Sequence, residues 1–205
     1  MTTRTSSGAI TGLLLAAGQG SRFHAATNRN KLTEPIPEGL PGAGMPVALA
    51  ALAALRDAVP DIVAVTARDN ADLIGLLEGA GCKVLRVSSG GTGESIALGV
   101  RARPGAAGWL VALADMPFIK PSTIRAIAGA LTPNGTAAPA FRGQRGHPVG
   151  FGAGHGAALM ALTGDEGARA ILKAHPPRLV EVDDRGVLLD IDRPEDWTAA
   201  RAGRI

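Results

Sequence analysis

Short apolar runs alternate with helix-like stretches along this chain, and the alternation limits the folds open to it. The runs at 9–16, 61–67, 83–87 and 109–114 have the length and the residue types of strands, and the nearly continuous apolar run at 109–114 is typical of the buried middle of a parallel sheet. The stretches between them space their apolar residues three and four positions apart, as helices do. Strands that alternate with helices predict an α/β fold, with βα units packed around a mainly parallel sheet.

The pattern becomes less regular after residue 133. Shorter strands are predicted at 137–141, 147–151, 178–183 and 187–191, and helices at 155–162, 166–174 and from Pro194 onward. We find no internal repeat and no long linker, so we predict one domain over 9–205 after a flexible, polar segment 1–8. The proline-rich stretch 23–45 is interpreted as irregular, and part of it as a mobile loop over the site.

Composition excludes several classes of protein. Hydrophobic residues make up 46% of the 205 positions, but no apolar run reaches the roughly 20 residues of a spanning helix. Aromatic residues are 3% and the net charge is +3, which predicts binding of a small polyanion and no nucleic acid. Cys82 is the single cysteine, expected to be a buried structural thiol rather than a nucleophile. The polar start lacks a signal core, so we expect no membrane contact and a cytoplasmic location.

The first predicted strand runs directly into a glycine-rich turn that ends on an arginine. Residues 13–22 read Leu-Leu-Leu-Ala-Ala-Gly-Gln-Gly-Ser-Arg. The backbone N–H groups of such a turn point at a bound anion, and Arg22 adds a permanently charged fork of donors. The same residues also suit an ordinary strand-to-helix turn, so the turn alone leaves two interpretations open.

Two acidic positions are candidates for holding a metal ion. Asp115 directly follows the strand at 109–114, at the edge of the sheet where ligands bind, and its carboxylate suits Mg²⁺ beside a phosphate. The alternative is an aspartate that caps a turn, but the glycine-rich loop favours the metal. Asp190 and Asp192 would share one side of a strand. Asp192 or Arg193 would lie near the cap of the helix that begins at Pro194, and the sequence alone favours this capping role because Asp before a helix is a common capping residue.

Two basic side chains complete the candidates. Lys31 lies nine residues beyond Arg22, where it could neutralise charge on phosphates, although exposed lysines are common. His147 is either a ligand contact or general base, or a hydrogen-bonded structural residue. The chain has no GxxxxGK[ST] motif, no GxGxxG at a helix start and no persuasive Ser-His-Asp order. These absences disfavour a nicotinamide-dependent reductase and a protein nucleophile.

In their order along the chain, these motifs resemble the molybdopterin nucleotidyltransferases, and in particular the molybdenum cofactor cytidylyltransferase (MocA-like) branch of the MobA-like NTP transferases. The matching segments span about residues 10–197. They are Leu15-Ala16-Ala17-Gly18, Ser21-Arg22, Asn30-Lys31-Leu32, Ser95 with Gly99, Leu113-Ala114-Asp115-Met116-Pro117, Gly146-His147-Pro148-Val149, Gly164-Asp165-Glu166-Gly167-Ala168-Arg169 and Asp190-Ile191-Asp192-Arg193-Pro194-Glu195-Asp196.

The resemblance implies a Rossmann-like, three-layer αβα nucleotidyltransferase fold with a mainly parallel mixed sheet. It also implies Mg²⁺-dependent transfer of CMP from CTP to the phosphate of molybdopterin, or of its molybdenum-loaded form, with release of pyrophosphate. A molybdoenzyme or its maturation chaperone would be the protein partner. The guanylyl-transferring branch has Leu-Ala-Gly-Gly where this chain has Leu15-Ala16-Ala17-Gly18, which points to cytidine.

Site roles follow from the same resemblance. Arg22, Lys31 and Asp115 would be the catalytic residues. Asp115 and Asp192 would hold the metal, and Gly146, His147 and Pro148 would face the acceptor. The nucleotide would contact Leu15, Ala16, Ala17, Gly18, Gly20, Ser21, Arg22, Lys31 and Ser95.

One departure and several alternatives accompany this interpretation. Phe23 and His24 follow Arg22, and Lys31 arrives four residues later than the family pattern has its lysine, which bears on the position of Lys31. A relative of the same fold would transfer GMP or use another phosphorylated acceptor. A non-catalytic protein would instead bind molybdenum cofactor and deliver it to an enzyme.

Overall fold

Over residues 8–18, 20–88 and 91–204, the residues that it describes, the computed structural model contains an eight-stranded sheet. The strands are β1 (Ile10–Ala16), β2 (Asp61–Ala67), β3 (Lys83–Val87), β4 (Gly108–Leu113), β5 (Thr136–Phe141), β6 (Gln144–Arg145), β7 (Val149–Gly152) and β8 (Arg178–Glu181). Their spatial order is β3-β2-β1-β4-β7-β5-β6, with β8 also paired to β5. Residues 1–7 of the segment predicted to be flexible lie outside the described residues.

Strand direction brings the carboxyl ends of most strands to one edge. β1 pairs in parallel with β2 and with β4, and β2 pairs in parallel with β3. β7 is antiparallel to both β4 and β5, so β4 and β5 run in the same direction, and β8 is parallel to β5. The sheet is therefore mixed and mainly parallel, as the sequence predicts.

Helices cover both faces of this sheet. They are α1 (Ser21–Thr27), α2 (Val47–Arg56), α3 (Ala71–Gly79), α4 (Thr92–Arg101), α5 (Pro121–Ala130), α6 (Gly156–Met160), α7 (Arg169–Ala174) and α8 (Asp196–Ala199). Adjacent residues of β1 point to opposite faces, so Leu14 joins the core under α2, α3 and α5, whereas Leu13 joins the core under α4, α6 and α7. This three-layer αβα arrangement confirms the predicted fold class.

The predicted strand at 187–191 is wrong. Arg185–Leu188 forms a 3₁₀ turn, because the buried carboxylate of Asp184 accepts a hydrogen bond from the Gly186 amide at 3.0 Å. The Val187 carbonyl then accepts from the His147 amide, and the Ile191 amide donates to the Asp115 carbonyl at 2.9 Å. These backbone groups therefore bond to loops near the site, and none of them joins the sheet.

The stretch 23–45 also differs from its interpretation. Its first residues form α1, and Leu32, Ile36 and Leu40 are buried in the core under α2. The Val47 and Ala48 amides at the start of α2 donate to carbonyls of this stretch. Apolar side chains thus anchor a segment whose prolines and glycines suggested a mobile loop.

Two smaller expectations can be compared directly with the structure. Cys82 is buried, and burial raises the pKa of its thiol, which suits a structural role. Within the described part of the chain, every helix is too short or too polar to cross a membrane.

Candidate active site

The turn after β1 shapes one wall of a cavity. The chain leaves the sheet at Ala16 and reaches Gly20, whose φ of 56° lies in the left-handed region that glycine adopts at little cost. α1 begins directly afterwards, which places Arg22 in its first turn. Ala17, Gly18 and Gly20 therefore lie beside the open carboxyl end of β1 and line the cavities there.

The extra residues between Arg22 and Lys31 are accommodated in helix α1. Phe23 is 2% exposed, and Asn28 ends the helix with a φ of 55°, which reverses the chain. The Asn30 side-chain oxygen then accepts a hydrogen bond from the Leu32 amide at 3.1 Å. The extra residues consequently form a packed helix, and Lys31 returns to the cavity with only 6% of its surface exposed.

Lys31 joins two carboxylates that are far apart in sequence. Its Nζ donates to Asp115 Oδ2 and to Asp192 Oδ1, both at 2.6 Å. Arg22 Nη1 contacts the other oxygen of Asp192 at 2.7 Å. The structure thus brings together the four charged residues that the sequence proposed for phosphate and metal binding.

Backbone hydrogen bonds hold the two aspartates in place. The Ala114 amide donates to the Leu15 carbonyl at 3.0 Å, which keeps the end of β4 beside β1. The backbone carbonyl of Asp115 accepts a hydrogen bond from the Ile191 amide, as described above. The Asp192 amide donates to Asp196 Oδ2 at 2.8 Å. Asp196 therefore orders the loop that carries Asp192 before α8 begins.

The charges of this cluster stabilise one another. Burial by itself lowers the pKa of Lys31, but the charge and hydrogen bond of Asp115, together with those of Asp192, raise it overall. The hydrogen bond from Lys31 lowers the pKa of Asp192. Burial and the nearby charges of Asp192 and Asp115 raise the pKa of Asp190. At neutral pH Lys31 is accordingly an ammonium ion between two carboxylates.

The charged cluster lines the first of three adjoining cavities. The first has a volume of about 250 Å³ and is lined by Leu15, Ala16, Gly18, Gly20, Ser21, Arg22, Lys31, Leu32, Asp115 and Asp192. The second, of about 130 Å³, is lined by Leu15, Ala17, Gly18, Thr92, Ser95, Leu113 and Asp115. Since Leu15, Gly18 and Asp115 line both, the two form one cleft along the end of β1. Thr92 and Leu32 were not among the predicted residues.

Ser95 lies on α4 at the inner wall of the second cavity. It is 2% exposed, and its hydroxyl donates to the Gly91 carbonyl at 2.9 Å. This hydrogen bond is local to the first turn of the helix. The predicted contact with a nucleotide remains a proposal.

A third cavity of about 300 Å³ extends from the second through Leu15, Thr92 and Leu113. Apolar side chains such as Val111 and Phe151 line it. Charged side chains also line it: Arg145, Asp165, Glu166 and Arg169. Of the three residues predicted to face an acceptor, Gly146 and His147 line this cavity, whereas Pro148 is buried beside it. The acidic turn at 164–169, which the sequence left open between a helix start and a pocket wall, contributes to its rim.

His147 has an unusual environment. Its Nδ1 is buried and has no hydrogen-bond partner among the described residues. Burial lowers the pKa of the ring, against the opposing influence of the Asp115 carboxylate and the Val111 carbonyl. The neutral ring is therefore favoured at neutral pH, with a polar atom that no neighbouring group satisfies.

The donor set beside Lys31 suits a hard divalent cation. Asp115 and Asp192 each direct one oxygen at the Lys31 ammonium nitrogen, so both carboxylates face one position that holds a positive charge. No group of three or more His, Cys, Asp or Glu side chains in the described ranges forms a metal site. Two carboxylates are the usual protein share of a Mg²⁺ site that is completed by phosphate and water.

Comparison with known proteins identifies the family. A model described as the MobA-like NTP transferase domain matches residues 12–179. The chain therefore belongs to the MobA-like NTP transferase family.

Two individual proteins illustrate how similar the chain is to its relatives. The chain is 35% identical over 116 residues to the purine catabolism protein PucB of Bacillus subtilis, a match that spans 54% of this chain and 56% of that relative. It is 25% identical to a nucleotidyl transferase from Methanothermobacter, with a TM-score of 0.78 over 95% of this chain and 96% of that one.

Rv0371c of Mycobacterium tuberculosis has the same fold. One of its structures matches with a TM-score of 0.80 at 25% identity, over 95% of this chain and 99% of that one. A second, in complex with manganese, matches with a TM-score of 0.75 at 24% identity, over 97% and 100%.

Proposed function

We propose that the protein transfers CMP from CTP to the phosphate of molybdopterin, or of molybdenum-loaded molybdopterin, and releases pyrophosphate. The observation that carries nucleotidyl transfer is the convergence of Arg22, Lys31, Asp115 and Asp192 on the cavity at the end of β1. The choice of base and of acceptor rests on the two neighbouring cavities and on the resemblance of the motifs.

The first two cavities are suited to different parts of one nucleotide. Basic side chains and the glycine-rich turn surround the first cavity, which therefore suits the phosphates. The second cavity suits the nucleoside, and Ala17 lines it with a methyl group that glycine would lack. That methyl group narrows a cavity of only about 130 Å³, which supports a pyrimidine over a purine.

The reaction needs no protein nucleophile. An oxygen of the acceptor phosphate attacks the α-phosphorus of CTP, and the bond from that phosphorus to the bridging oxygen of pyrophosphate breaks. Arg22 and Lys31 stabilise the negative charge that accumulates on the leaving pyrophosphate. Mg²⁺ held by Asp115 and Asp192 would supply Lewis-acid stabilisation of the phosphate oxygens. The main contributions of the chain are positioning and electrostatic stabilisation.

The third cavity suits the acceptor. Its apolar lining fits a flat heteroaromatic body, and Arg145 and Arg169 offer charged donors for a phosphate. The ring of His147 also lines this cavity and is a further candidate contact for the acceptor. A molybdoenzyme or its maturation chaperone would then receive the product.

The decisive experiment measures pyrophosphate release with Mg²⁺ and molybdenum-loaded molybdopterin while CTP, GTP, ATP and UTP are offered separately. Release with CTP alone is expected. Release with GTP would retain the reaction and overturn the argument from Ala17. Reactions without the acceptor serve as controls for simple hydrolysis, and no release with any nucleotide would contradict the proposed reaction.

A second candidate function keeps the chemistry and changes the acceptor. The similarity to a purine catabolism protein favours this possibility, because that relative is named for a process other than cofactor synthesis. GMP transfer is the corresponding change of nucleotide. A non-catalytic delivery protein is distinguished from both, since it would bind molybdopterin without Mg²⁺-dependent release of pyrophosphate.

A further inference from the structure

The ammonium group of Lys31 occupies the point at which the two acidic side chains converge. It lies 2.6 Å from one oxygen of Asp115 and 2.6 Å from one oxygen of Asp192. Carboxylate oxygens coordinate Mg²⁺ at about 2.0–2.1 Å. A divalent cation that binds both oxygens would therefore overlap the position of the nitrogen, so the two cations exclude each other.

We propose that Lys31 is a positioning residue that couples metal binding to nucleotide binding. In the free protein its ammonium group holds Asp115 and Asp192 and keeps a divalent cation out. When CTP binds, its phosphates attract the ammonium group away, and the carboxylates become available to the metal. This inference rests on the proposed function, because it requires a polyphosphate in the first cavity.

The surroundings of Lys31 support such an exchange. Its side chain runs alongside the glycine-rich turn, since a Cβ at Gly20 would lie 3.4 Å from the Lys31 Cγ and 3.6 Å from its Cε. The ammonium group and the turn therefore face the same cavity, and a flexible four-carbon stem joins the two positions.

The small number of metal-ligating side chains also supports coupled binding of the metal and the nucleotide. In the described part of the chain, no third His, Cys, Asp or Glu completes a metal site with Asp115 and Asp192. A cation bound there needs ligands from phosphate oxygens and water. A nucleotide would thus remove the competing ammonium group and supply the missing ligands in one event.

The test is a titration with Mn²⁺ alone, followed by electron paramagnetic resonance of the free ion, on the wild type and on Lys31→Met. The variant is expected to bind Mn²⁺ at least about tenfold more tightly than the wild type, because two charged hydrogen bonds no longer compete with the ion. Arg22→Met is the matched control. It removes one positive charge beside Asp192 but leaves the point between the carboxylates occupied.

The control separates two explanations. A general effect of lost positive charge predicts equal gains in Mn²⁺ affinity for Lys31→Met and Arg22→Met. The exchange predicts a clearly larger gain for Lys31→Met, and loss of that gain when Asp192→Asn is added. Equal affinities of the wild type and Lys31→Met, or equal gains in the two single variants, would overturn the inference.

A measurement on the wild type avoids any dependence on variants that fold poorly. The ¹⁵N resonance of the Lys31 ammonium group is expected to stay unchanged in millimolar Mg²⁺ and to move when CTP is added with Mg²⁺. A shift with Mg²⁺ alone, or no shift with both, would contradict the exchange. Failure of the protein to bind CTP with Mg²⁺ under any condition would instead remove the proposed function.

Discussion

At the scale of single residues, a backbone hydrogen bond fixes the position of Asp115 at the end of β4. Asp115 directly follows β4, and its carbonyl accepts the Ile191 amide at 2.9 Å. Asp115→Asn keeps the size of the side chain and removes its charge. We expect pyrophosphate release to fall by about 10²–10³-fold, because the proposed function gives this charge the role of holding a divalent cation against the phosphates. Steady-state rates measure the effect.

The control for that substitution is Asp69→Asn. Asp69 is exposed in the turn after β2 and is not among the residues that line the first cavity. Its variant should retain the wild-type rate. Near-normal turnover of Asp115→Asn would show that this carboxylate does not hold the catalytic metal.

Asp192 carries a prediction about acid stability. The hydrogen bond from Lys31 lowers the pKa of Asp192 below its ordinary value. Its contribution to stability is therefore complete above the pKa of an unfolded aspartate, about 3.9, and disappears as the pH falls through the lower folded value. In urea unfolding from about pH 6 downward, the free energy of unfolding should fall more steeply for the wild type than for Asp192→Asn. Parallel profiles would contradict this assignment.

At the scale of elements, the start of α4 supports the turn at 163–167 by close backbone contact. The Gly93 amide donates to the Gly164 carbonyl at 2.8 Å, and a Cβ at Gly93 would lie 2.5 Å from the Thr163 carbonyl oxygen. Gly93→Ala should destabilise the protein by about 1–3 kcal/mol, because backbone on one side must move. It should also weaken acceptor binding, since this turn borders the third cavity.

Gly75 provides the matched substitution. It lies inside α3, and a Cβ there would have no neighbour within 4 Å. Gly75→Ala should stabilise the protein by about 0.5–1 kcal/mol through the helix propensity of alanine. Urea unfolding of both variants measures the difference. Equal effects would show that the contact of Gly93 with the 163–167 turn is not required.

At the scale of the whole molecule, one sheet separates the two cores, and we propose that residues 9–205 form a single cooperative domain. Trp109 is 1% exposed in β4, whereas Trp197 in α8 packs edge-on against Phe118 near the carboxyl end of the chain. Thermal unfolding followed by Trp109 fluorescence in Trp197→Phe should coincide with far-ultraviolet circular dichroism of that variant. Thermal unfolding followed by Trp197 fluorescence in Trp109→Phe should likewise coincide with the circular dichroism transition of that variant. Earlier melting at Trp197 alone would indicate a separate unit.

Local sequence determined the central strands and much of the helical pattern. The bounds of β2 and β3 agree with the predicted 61–67 and 83–87, because short segments rich in β-branched and aliphatic residues between polar turns favour strands without reference to distant residues. The same holds for the glycine-rich turn, whose composition permits the left-handed backbone at Gly20. The fold class and the candidate charged residues could therefore be predicted from the sequence.

Only the tertiary structure decided how those residues meet. Lys31 contacts Asp115 across 84 positions and Asp192 across 161, and no local pattern encodes such separations. The stretch 187–191 does not form a strand because its backbone groups bond to Asp115 and His147 in distant loops and to Asp184 and Gly186 in the adjoining turn. The proline-rich segment became part of the core because Leu32, Ile36 and Leu40 found apolar partners under α2. Local propensity favours an element, but long-range packing and hydrogen bonding determine where its side chains come together.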